Sequence, residues 1–105
     1  MTGEEKLAYI RERTPIADRY DQLAEELVEA AHAAMKIARL TRAVSPSPIN
    51  LHEADLALTE EIGDVLAVLA VIGFRDTGSK VCCMYKVDRW QKRLAGAEEA
   101  EHDGP

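Results

Sequence analysis

Ten consecutive residues, Val65-Leu66-Ala67-Val68-Leu69-Ala70-Val71-Ile72-Gly73-Phe74, carry no polar side chain. A helix made of them has no face to offer water, so other helices must surround it. The run is too short for a bilayer, which needs about 20 apolar residues. The chain has 105 residues with one Phe, one Trp and three Tyr, so aliphatic side chains must supply most of the core. A domain of this size keeps much of its surface wet. The expectation is a helical domain completed by a second copy of itself.

Hydrophobic residues make up 47% of the chain and charged residues 30%, which fits an ordinary globular protein and argues against disorder. Nineteen acidic residues against 13 basic ones give a net charge of −6. That balance disfavours nucleic acid as a partner, because duplex binding draws on clustered Lys and Arg. Phosphates stay within reach through a metal. The start, Met1-Thr2-Gly3-Glu4-Glu5-Lys6, lacks the basic and apolar regions of a secretion signal, so no membrane association and a cytoplasmic location are expected. Cys82 and Cys83 are adjacent. They lack the geometry of a disulfide and the spacing of a zinc pair, and read as reduced packing residues.

Four stretches have helical periodicity, which predicts an all-α antiparallel bundle of about four helices. The first opens on Thr2-Gly3-Glu4-Glu5, a capping box, and runs to Arg13. Thr14-Pro15 reads as a cap with proline at the first helical position, starting a long helix from Pro15 to Arg42. Its apolar stripe is read as Ile16, Tyr20, Leu23, Leu27, Ala31, Ala34 and Ala38. The loop 43–49 contains two prolines, which remove donors and oppose helix. Asn50-Leu51-His52-Glu53 caps the next helix, expected to reach Phe74 before Asp76-Thr77-Gly78. Residues 79–95 are read as helix, with Val81 to Tyr85 as a possible strand. The spans give one domain over 1–95 and a flexible acidic tail over 96–105.

Chemistry concentrates in Glu25-Glu26-Leu27-Val28-Glu29 and Glu60-Glu61-Ile62-Gly63-Asp64. At about 100° per residue, Glu26 and Glu29 lie about 60° apart, as do Glu61 and Asp64. Each pair can therefore converge on one cation. Crowded carboxylates beside an apolar run repel one another unless a divalent cation is present. All-oxygen ligation favours magnesium, with manganese possible, over zinc. The plain alternative is two solvated helix faces, since Glu is a good helix former. Glu29-Ala30-Ala31-His32 also matches half of a di-iron motif, but Asp64 stands where the second His is needed. His32 and His52 read as structural residues.

Glu25-Glu26-x-x-Glu29 followed by Glu61-x-x-Asp64 resembles the MazG-like all-α NTP pyrophosphatase superfamily, related to dimeric dUTPases and dCTPases. Supporting texture lies in Ala30-Ala31-His32-Ala33-Ala34-Met35-Lys36 and Gly63-Asp64-Val65-Leu66, and the likeness covers residues 15–95. The resemblance implies that Glu26, Glu29, Glu61 and Asp64 hold magnesium. It also implies cleavage of a nucleoside triphosphate between its α and β phosphates, in a homodimer or a dimer of dimers. Glu25 or Glu29 would orient or deprotonate the attacking water. Lys86, Arg89 and Arg93 share one helix face and are candidate phosphate clamps, with a solvated basic face as the alternative; Lys36 and Arg39 are weaker ones. Tyr9, Tyr20 and the proline loop are candidates for a base pocket. The proline loop makes the gap between the two acidic clusters longer than is usual in the family, which bears on substrate preference.

Overall fold

In the computed structural model the described residues are 1–42 and 50–102. Four α-helices account for nearly all of them: α1 (Gly3–Arg13), α2 (Ile16–Arg42), α3 (Leu51–Ile72) and α4 (Thr77–His102). No strand occurs among the described residues, so Val81 to Tyr85 is helical. The proline loop 43–49 lies outside them. No helix is long and apolar enough to cross a membrane among the described residues.

Local chemistry explains most helix ends. Thr2 Oγ1 accepts from Glu5 N, and Glu5 Oε1 accepts from Thr2 N, both at 3.1 Å. Those are the reciprocal bonds of a capping box. Asn50 Oδ1 accepts from Glu53 N at 2.8 Å and closes the start of α3. The end of α3 differs from expectation. Gly73 adopts φ 78°, and its N–H meets the carbonyls of Leu69 and Ala70. Glycine enters the left-handed region without a Cβ clash, so the helix stops there and Gly78 instead lies inside α4. Thr14 also departs from the expected role. Its hydroxyl donates to Ile10 O at 2.8 Å, closing α1 instead of capping α2. Helix α4 continues through Gly96 to His102, so most of the stretch expected as a flexible tail is helical.

The chain divides into two compact units, Met1–Phe74 and Arg75–Pro105. In the first, α3 packs on both α1 and α2. Residues 18–22 of α2 line one cavity with 67–71 of α3, while Glu26 and Glu29 meet Glu61 and Asp64. Rising numbers on α2 thus pair with falling numbers on α3, and the two helices are antiparallel.

The less exposed residues of α2 include Leu23, Glu26, Ala30, Ala33 and Ile37. On α3 they include Ala54, Leu58, Glu61, Val65, Val68 and Ile72. Both series advance by three and four residues, the spacing of a helix–helix seam. The seam on α2 shares Leu23 with the expected stripe, and Ala38 is half-buried too, but it is turned away from Ile16, Tyr20 and Leu27, which are 66%, 55% and 51% exposed. Alanines occupy both faces of this part of α2, and α3 settles over Ala30 and Ala33, where a helix can approach closely. The buried apolar residues among those described are Ala30, Ala54 and Val65. Within the first unit the apolar run stays partly open, with Leu66 at 60% and Phe74 at 51% exposure.

Arg11 adds a long-range tie. Its Nε and Nη2 donate to Val71 O at 2.7 Å and Ala70 O at 2.8 Å. A charged fork thereby satisfies the Val71 carbonyl at the end of α3, adds a second donor to that of Ala70, which Gly73 N also meets, and joins α1 to α3.

The second unit carries α4. Val81, Met84, Tyr85, Val87, Trp90 and Leu94 are all more than half exposed. Cys82 and Cys83 are free thiols and exposed, so the expected packing role is not met within this unit.

Candidate metal centre

The antiparallel seam brings the two acidic clusters together. One carboxylate oxygen from each of Glu26, Glu29, Glu61 and Asp64 lies within 4.8 Å of the others. The i, i+3 spacing turns each pair toward one side of its helix, and the seam sets the two pairs face to face. Glu26 and Glu61 stand at seam positions and are half-buried, whereas Glu29 and Asp64 are exposed at the rim.

Polar bookkeeping in this cluster is incomplete. Glu26 Oε1 accepts from Gln22 Nε2 at 2.7 Å. Glu26 Oε2 and Glu61 Oε2 are buried and meet no donor. Buried oxygens without a partner cost free energy, and two of them beside two further carboxylates form a strongly negative pocket. The Glu26 charge holds the Glu29 carboxyl above its ordinary range; the Glu61 charge, burial, a hydrogen bond with Glu61 and the Glu25 charge act in the same direction. Repulsion among these groups is what a cation would relieve.

The donor set fits a hard divalent ion. All four groups are carboxylates, the oxygen donors that a hard ion such as magnesium would take. Manganese accepts the same donors. His32 is exposed and stands outside the group of four, so among the described residues the Glu-x-x-His pattern does not assemble a histidine-bearing site. Glu25 is exposed on α2 next to the cluster.

Lys86, Arg89 and Arg93 belong to α4 in the second unit, where together with Lys92 they line a concavity of about 450 Å³. They form one basic face, and Lys92 also pairs with Asp88 at 3.0 Å. Tyr9 is covered by the Arg13 guanidinium, 3.4 Å from the ring centre. Lys36 is half-buried and Arg39 exposed on α2.

Gln22 is a residue of the candidate site that the sequence did not single out. It lies four residues before Glu26, the distance at which helical side chains meet, so a Gln one turn upstream of a ligand candidate was a readable signal. Arg11 offered none, because its partners lie about 60 residues away in the chain.

Comparison with known protein families, curated proteins and solved structures finds no match for this chain.

Proposed function

We propose that the chain is a magnesium-dependent nucleoside triphosphate pyrophosphohydrolase, converting a ribo- or deoxynucleoside triphosphate and water into the monophosphate and pyrophosphate. The observation that carries this reading is the convergence of Glu26, Glu29, Glu61 and Asp64 within 4.8 Å, with two buried oxygens lacking partners. Resemblance of the Glu25–Glu29 and Glu61–Asp64 motifs to the MazG-like superfamily supports the choice of reaction.

Glu26, Glu29, Glu61 and Asp64 would hold the ion, with manganese as a substitute. Bound there, the ion neutralises triphosphate charge and stabilises the charge that develops on the leaving pyrophosphate. In the reaction, the water oxygen bonds to the α-phosphorus. The bond from that phosphorus to the bridging oxygen breaks, and its electron pair leaves with pyrophosphate. The water proton passes to a carboxylate. Glu25 or Glu29 would accept it, as carboxylates beside the reacting water. Lys86, Arg89 and Arg93 would bind phosphate oxygens as charge-assisted donors.

The same reading assigns a homodimer or dimer of dimers in the cytoplasm. Leu27, Val28, Ile62 and Leu66 are 51%, 54%, 46% and 60% exposed, and a second copy would cover such apolar surface. That exposure also favours a second reading, a structural helical dimer without catalysis. A metal-binding nucleotide sensor would share the site but not the turnover.

The test is product analysis with a panel of nucleoside triphosphates and magnesium. Monophosphate and pyrophosphate should appear with the wild type and vanish with Glu61→Ala. Full turnover by that variant, or no turnover of any nucleotide by the wild type, overturns the enzyme reading.

A further inference from the structure

Among the described residues α4 is the one helix of its unit, so the unit holds no second element to cover its apolar side chains. Those side chains are not scattered. Cys83, Val87, Trp90, Leu94 and Ala97 follow one another by four, three, four and three residues, the spacing of the d and a positions in a coiled-coil seam. Cys83 is exposed, and Val87, Trp90 and Leu94 are each more than half exposed. A continuous apolar stripe of that kind marks an interaction surface.

The two flanks of the seam differ in charge. Lys86 and Arg93 take the g positions on one side, where with Arg89 and Lys92 they line a basic concavity. Gln91 and Glu98 take the e positions on the other side, where they line a second concavity with Val87, Trp90 and Leu94. Asp88 and Lys92, at the outer positions b and f, bond to each other at 3.0 Å and stay clear of the seam.

We propose that α4 pairs in parallel and in register with α4 of a second copy of this chain. In a parallel pair the g position of one helix meets the e position five residues further along the other, and such pairs set orientation. Arg93 thereby meets Glu98 of the second copy, and Lys86 meets its Gln91, each twice by symmetry. An antiparallel pair would set Lys86 and Arg93 of one helix beside Lys86 and Arg93 of the other, and like charges in contact repel. The surface is separate from the one assigned above to Leu27, Val28, Ile62 and Leu66, and it does not rest on the metal centre. Arg93 is committed to Glu98 in the pair, while Arg89, at the outer position c, stays available to phosphate.

The adjacent cysteines distinguish this arrangement from any other. Helix axes about 8–10 Å apart, with Cα atoms about 2.3 Å from each axis, bring facing seam residues to about 6 Å. A disulfide spans about 4.4–6.8 Å between Cα atoms. Cys83 is a seam residue and faces the Cys83 of the second copy. Cys82 lies about 100° round the helix and faces outward.

The full chain is tested as two single-thiol variants, Cys82→Ser and Cys83→Ser, with oxidised glutathione taking the two electrons and two protons that a thiol pair gives up. Cys82→Ser, which keeps Cys83, should form disulfide-linked dimer about tenfold more than Cys83→Ser. In the Cys82→Ser background, Arg93→Glu should lower the yield about three- to tenfold, the loss of two exposed ion pairs. Adding Glu98→Arg to that variant should restore the yield. Equal yields from the two thiols, no linked dimer through Cys83, or no recovery on exchanging the charges overturns the pairing. Nucleotide hydrolysis in a protein that gives one of those results leaves the proposed reaction standing. A Cys83 link with charge-dependent yield in a protein that hydrolyses nothing supports the pairing and overturns the reaction.

Discussion

Gln22 donates its side-chain amide to one oxygen of Glu26, at 2.7 Å, while the other oxygen of that carboxylate is buried without a donor. The bond fixes which face of Glu26 is free. In the proposed cation site Gln22 would therefore act as a positioning residue, and groups of this kind usually change metal affinity about 10- to 100-fold when removed. Gln22→Ala should weaken magnesium binding about tenfold without loss of helicity. Calorimetry with a circular dichroism control checks it, and Gln22→Asn should not restore the affinity, since its amide is one methylene short.

The apo protein should lose stability as pH rises above the ordinary carboxylate range. Glu26 and Glu61 raise the Glu29 pKa in the folded chain, so the folded state keeps a proton that the unfolded state has released. Stability falls with pH wherever the folded state binds more protons. The fall should span the interval between the ordinary Glu value and the raised one, and Glu29→Gln should flatten it. Glu5 works in the opposite sense on the acid side, since its bonds with Thr2 lower its pKa and that stability is lost as pH drops through the lowered value. Urea midpoints measured in a chelator across both intervals check the two signs. Magnesium should reverse the first trend, because the ion needs the deprotonated carboxylate.

Arg11→Ala should destabilise the first unit by about 1.5–3 kcal/mol, the cost of losing hydrogen bonds from a charged donor. Ala70 O and Val71 O both lose their guanidinium partner. Arg11→Lys should recover little, because an ammonium cannot reproduce two bonds of a planar fork. Denaturant unfolding of the three proteins checks it.

Gly73→Ala should cost about 1–2 kcal/mol, the penalty of a Cβ in the left-handed region. The glycine has φ 78°, and a Cβ there meets nothing within 4 Å, so the cost comes from backbone conformation alone. Thr2→Ala should cost about 1 kcal/mol through the lost cap. Thermal unfolding of both variants checks the pair.

Features set by near neighbours in the chain were legible in the sequence. Thr2 with Glu5, Asn50 with Glu53 and the two i, i+3 acidic pairs all follow from short-range geometry, and the helices stand close to where periodicity puts them. Thr14 was misread because two helix ends compete for one hydroxyl, and the Ile10 carbonyl wins it. The seam of α2 was misread for a different reason. Counting large apolar residues centres the stripe on Leu27, whereas packing centres it on Ala30, the buried residue of α2. Glu26 consequently stands inside the seam and not at its border, which is what leaves its Oε2 without water. The Arg11 bonds and the cavity between α2 and α3 depend on contacts distant in the chain, which no local pattern encodes.

The central claim is that Glu26, Glu29, Glu61 and Asp64 form one divalent cation site. Magnesium titration calorimetry of the wild type against Glu61→Gln tests it most directly, because the amide keeps the shape and removes the charge. The account predicts saturable binding by the wild type and its loss in the variant, with the helical content of both unchanged. Absence of saturable binding by the wild type, or equal binding by the two proteins, would contradict it.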